Sequence, residues 1–95
     1  MRSAYAYVDA NAFTAPQLRE RQLAEFLLVL QRLALRADFG LVERNACRQE
    51  MGVNGPEFED LVRRARQRGY IDTQLAYDRL SLTLRGQEKL AALYR

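Results

Sequence analysis

At Gly69 the spacing of apolar residues changes period, and that change restricts the fold of this chain more than any other feature. Before it, Phe58, Leu61, Val62 and Ala65 recur at the spacing of one buried helical stripe, in a helix that opens at Gly55-Pro56 and closes on Gly69. After it, Tyr70-Ile71-Asp72-Thr73 and Arg79-Leu80-Ser81-Leu82 alternate as strands do, joined by a connection from Gln74 to Asp78. A hairpin therefore follows a helix, and a last helix from about Thr83 to Tyr94 follows the hairpin, with Leu84, Leu90, Ala91 and Leu93 expected to face inward. Thr83 stands where it can cap that helix, and Gly86 where it lets the helix approach a neighbour closely.

Upstream, Leu41 to Met51 fits a short amphipathic helix whose inner face is Val42, Ala46, Cys47 and Met51, and Gly52-Val53-Asn54 makes the turn into the third helix. Two short helices joined by a glycine-containing turn form the helix-turn-helix pattern. The first helix opens at Thr14, where Thr14-Ala15-Pro16-Gln17 matches a capping box, and runs to about Ala37 before Asp38-Phe39-Gly40 stops it. Leu23, Phe26, Leu27, Leu30, Leu33 or Ala34, and Ala37 make its core stripe, while Leu28 and Leu35 lie off that stripe alongside Ala24. A second apolar side needs cover, from another copy in a homodimer or from the last helix or N-terminal segment of the same chain. Residues 1–13, in which Tyr5 and Tyr7 alternate with small residues, read as an arm or short strand, and 14–95 as the one domain that 95 residues allow.

Histidine is absent, which removes the usual catalytic triads, histidine relays and common zinc sites. Cys47 is the single cysteine, with no partner for a disulfide, metal or redox pair, and reads as a small buried filler. Glu57, Glu59 and Asp60 sit where carboxylates complement a helix dipole, and the glycines form no phosphate loop. An enzyme is not expected, nor a cofactor or metal. The longest apolar stretch, Phe26 to Leu30, is far too short to span a bilayer, and no secretory signal is legible, so the expectation is a cytoplasmic protein without a membrane partner.

Gly69-Tyr70-Ile71 and the run from Asp78 to Leu90, centred on Leu82-Thr83-x-x-Gly86, resemble the wing and following helix of winged helix-turn-helix regulators of the MarR-like and PadR-like families. The similarity covers roughly Leu41 to Leu90. It implies a mainly α fold with a small β-hairpin: a three-helix core plus wing and C-terminal helix. It also implies a third helix in a DNA major groove, a wing on the adjacent backbone or minor groove, and a homodimer formed through terminal helices.

The residues can be set against that implication. With the third-helix stripe inward, Arg63, Arg64 and Gln67 point outward toward base edges or phosphates, and Arg44, Arg48, Arg79 and Arg85 are the further candidates for phosphates. Fourteen of the fifteen basic residues are arginine, and the formal net charge is +3. Leu75 and Tyr77, on a wing with no basic residue before Arg79, either contact a protein or fold back on the core. The expected function is a dimeric DNA-binding transcriptional regulator or accessory factor. The alternative is a winged-helix adaptor or inhibitor that binds a protein through the acidic start of the third helix, the Leu75/Tyr77 wing, or Leu28 and Leu35.

Overall fold

The computed structural model describes residues 15–76 and 78–94, so the expected arm over 1–13, the Thr14 cap and Tyr77 lie outside the described residues. The described elements are α1 (Ala15–Ala34), a turn at Asp38–Gly40, β1 (Val42–Glu43), α2 (Arg44–Met51), α3 (Gly55–Gln67), β2 (Ile71–Gln74), β3 (Arg79–Leu82) and α4 (Leu84–Leu93). The fold is mainly helical with one small antiparallel sheet in the order β1-β3-β2, an arrangement compatible with a winged helix. No described helix is long and apolar enough to cross a membrane.

Helical spacing sets the core. Leu23, Phe26, Leu27 and Leu30 of α1 are buried against Phe58, Leu61, Val62 and Ala65 of α3, with Val42, Cys47, Ile71, Leu80 and Leu90 completing the cluster. Phe26 and Phe58 meet edge to face, their centroids 5.7 Å apart and their planes at 83°. Leu28 is half-buried and packs against this same core, so cover from within the chain reaches it. Because α1 contacts α2, α3, α4 and β3, the single chain covers a wide face of the helix, while Leu18 near its start is 47% exposed and Leu35, past its end, 83% exposed.

Local chemistry fixes the ends of α3. Asn54 accepts a hydrogen bond from the Glu57 amide at 2.8 Å and donates from Nδ2 to Glu57 Oε1 at 2.8 Å, a reciprocal cap over the first turn. At the other end Gly69 takes φ 76, the Tyr70 amide reaches the Ala65 carbonyl at 2.9 Å and the Gly69 amide reaches Arg66 at 3.0 Å, which closes the helix in a Schellman motif. Thr83 then ties α4 to this point. Its hydroxyl donates to the Gly69 carbonyl at 2.5 Å and accepts from the Gly86 amide at 3.0 Å, and its amide donates to the Tyr70 carbonyl at 3.0 Å.

Two expected elements are corrected. The second helix starts at Arg44, not Leu41: Val42 and Glu43 are extended and pair with Leu80 and Arg79 of β3, and Ala46, placed on the inner face by the sequence, is exposed. Two residues are too few to show a period of two, so only their distant partner reveals the strand. In α4, Gly86 and Leu90 face inward, while Leu84 is 73% exposed and Ala91 and Leu93 are exposed too. The close approach at Gly86 sets the helix's rotation, and Leu90 follows one turn later on the same side.

Cys47 is the buried filler that the sequence suggested. Burial first, and the carboxylate of Glu50 second, push its thiol from 9.0 up to about 12. The native protein is therefore expected to resist alkylation by iodoacetamide at pH 8 and to react fully once unfolded by guanidinium. Stability should also fall as the pH rises past the ordinary thiol range, because the unfolded chain then loses a proton that the folded chain keeps. Rapid native-state alkylation at pH 8 would contradict the burial.

Candidate nucleic-acid interface

A groove of about 770 Å³ runs between the outer face of α3 and the hairpin. Arg63, Arg66 and Gln67 line it from α3, Arg44 from the start of α2, and Ala76 and Asp78 from the β2–β3 connection. Arg44 is held in place by two contacts: its guanidinium carbon lies 5.8 Å from the centroid of the Phe58 ring, and it makes a two-pronged ion pair with Glu59. The sequence placed Arg63 and Gln67 here, together with Arg44 for phosphate, and all three line this groove. Arg48, bonded to Asn45 Oδ1 at 3.1 Å, lines an adjoining hollow that shares Arg44, Glu59 and Asp78 with the first.

Arg64 lies elsewhere. Its side chain is only 16% exposed, donates to the Arg19 carbonyl of α1 at 3.1 Å, and holds Nε 3.5 Å from Asp60 Oδ2. Arg68 on the same flank donates to Glu20 at 2.9 Å, so both arginines fasten α3 to the start of α1. At about 100° per residue, positions 64 and 68 fall on one flank of the buried stripe and 59, 63 and 66 on the other. The helical wheel was legible in the sequence, but which flank α1 would occupy was not. Arg66, which the sequence reading left out of the site, is an exposed groove residue for that same reason.

Arg79 and Arg85 lie outside this groove. Arg79 pairs with Asp78 and lines a separate groove beside Asp38 and Glu43. Arg85 projects from α4, with its Cδ 3.5 Å from where a Cβ on Gly69 would stand. In the β2–β3 connection Leu75 is 66% exposed, so it does not fold back on the core, and both Leu75 and Ala76 take positive φ, 52° and 57°. The Asp78 amide closes the turn on the Leu75 carbonyl at 3.1 Å.

The three carboxylates at the start of α3 each have work within the fold. Glu57 completes the cap with Asn54, Glu59 pairs with Arg44, and Asp60 pairs with Arg63 and Arg64. The groove consequently presents arginine and glutamine from the C-terminal half of α3, against two lining carboxylates, Glu59 and Asp78. Compared with protein-family models, curated proteins and solved structures, the chain matches none of them.

Proposed function

We propose that this chain is a winged-helix module that binds duplex DNA, with α3 in the major groove and the β2–β3 hairpin as the wing beside it. The element order helix, strand, two helices, hairpin, helix, with the sheet order β1-β3-β2, supports the winged-helix assignment. The observation that carries the function is the groove itself, where Arg63, Arg66 and Gln67 face outward on one side of α3 and Arg44 stands at its edge. Arginine and glutamine on an exposed helix face supply the donors that base edges and phosphates accept. Bound this way, phosphate would compete with Asp60 for Arg63 and with Glu59 for Arg44, so affinity is expected to be modest and strongly salt-dependent.

Fluorescence anisotropy with a labelled random-sequence duplex, titrated from about 50 to about 200 mM salt, tests this. The expected result is binding at low salt that weakens steeply as salt rises. Arg63→Ala and Arg66→Ala should each weaken it about tenfold or lower the salt slope by about one. Arg64→Ala should leave the affinity unchanged, because that side chain is spent on α1. The exposed Leu75 and the lining carboxylates favour a second reading, a module that docks on another protein. Absence of salt-sensitive binding even at low ionic strength would reject the DNA reading in favour of that one.

A further inference from the structure

Of the three carboxylates at the start of α3, Glu59 alone lines the groove. Glu57 is held in the cap by Asn54, and Asp60 is paired with Arg63 and Arg64. Glu59 is also fixed in aim. Arg44 donates from Nε to one of its oxygens at 3.1 Å and from Nη2 to the other, and that guanidinium lies against the ring of the buried Phe58. Stability alone does not account for the arrangement, because the Glu59 side chain is 60% exposed and an ion pair in that setting is worth little. A carboxylate has about four acceptor sites, and Arg44 takes one on each oxygen, so the group keeps the capacity to accept from a ligand as well.

What such a group could accept from follows once α3 is read as lying in a major groove, the reading on which this inference rests. A fixed anion there is repelled by phosphate unless a donor meets it, and the need for a donor grows if phosphate draws Arg44 away. The donors in the major groove are the amino groups of cytosine and adenine, whereas guanine and thymine present acceptors and no donor. Adenine carries its N7 acceptor beside the amino group, where it would repel a carboxylate, but cytosine presents N4 with no acceptor on the same base. We propose that Glu59 is a specificity-determining residue, accepting from N4 of cytosine at one position of the bound duplex while Arg44 holds its carboxylate in place. The arginines and Gln67 supply attraction to the duplex, and Glu59 supplies exclusion, since guanine or thymine at that position sets an acceptor against the anion.

The test is selection of the full chain, at about 50 mM salt, on duplexes randomised over about one helical turn, with the bound fraction sequenced against the input. The wild type is expected to enrich cytosine at one position by at least about fivefold over the other bases, the effect of a single good base contact. Glu59→Gln keeps the length of the side chain and an acceptor for Arg44, and should move the preference at that position to adenine, whose N6 and N7 match an amide. Glu59→Ala should lose the preference at that position and at no other. A cytosine preference that survives both substitutions would overturn the proposal. So would variants that lose the whole motif at once, because the role would then lie in holding α3 and not in reading one base. A wild type whose binding is salt-sensitive but enriches no base would overturn it and leave the DNA reading standing, whereas a wild type without salt-sensitive binding would end both.

Discussion

Gly86→Ala is expected to destabilise the protein by about 3 kcal/mol or more, although the same change inside an exposed helix ordinarily stabilises by about 0.5–1 kcal/mol. The reversal of sign comes from one contact. A Cβ on Gly86 would stand 2.2 Å from the Tyr70 carbonyl oxygen and 3.0 Å from Leu82 Cδ2. The oxygen belongs to backbone that is fixed twice, by the Schellman turn after α3 and by its hydrogen bond from the Thr83 amide, so it has no side-chain freedom with which to yield. The alternative is for α4 to move outward, which pulls Thr83 from Gly69 and opens the core at Leu90. Chemical denaturation of the variant beside Gln87→Ala, an exposed neighbour expected to stay within about 0.5 kcal/mol of the wild type, measures the effect. A Gly86→Ala protein as stable as the wild type would show that the close approach is not structural.

The second large effect is predicted for Phe58→Ala, at about 3–5 kcal/mol. Phe58 is fully buried, makes the edge-to-face contact with Phe26 that joins α3 to α1, and supports the Arg44 guanidinium on its ring. Domains of this size hold about 5–15 kcal/mol in total, so the variant should melt on the order of 15 °C or more below the wild type. Thermal unfolding followed by circular dichroism reads this directly. Phe58→Leu, which retains most of the apolar volume, should recover a large part of the loss, and equal damage from both substitutions would point away from packing as the cause.

How legible the fold was depended on the range of the interaction. The stripe of α3, its start beside Asn54, its stop at Gly69 and the capping role of Thr83 were all readable, because each rests on residues within a few positions of one another. The strand at Val42–Glu43 was hidden, since its only signature is pairing with Arg79 and Leu80 far along the chain. Leu84 was misplaced for a related reason. Periodicity says that a helix has an apolar side, but the neighbours decide how wide a sector is covered and at what rotation.

The candidate site divides along the same line. Arginine and glutamine at positions 63 and 67, opposite a buried stripe, were visible from helical geometry alone. That Arg64 would be drawn to α1 while Arg66 faced the groove required knowing on which flank α1 lies. Phe39 likewise drew attention in the sequence only as part of a helix stop, and its left-handed backbone and exposed ring emerged once α1, the turn and β1 were in place.

By itself, then, the sequence determined the third helix, the cap at Thr83 and the switch from helix to hairpin at Gly69, through steric and hydrogen-bonding preferences that act over one or two turns. The tertiary structure decided which flank of each helix meets a neighbour, the third strand of the sheet, and hence which arginines line the groove. Those outcomes depend on contacts between distant segments, whose geometry no local pattern encodes.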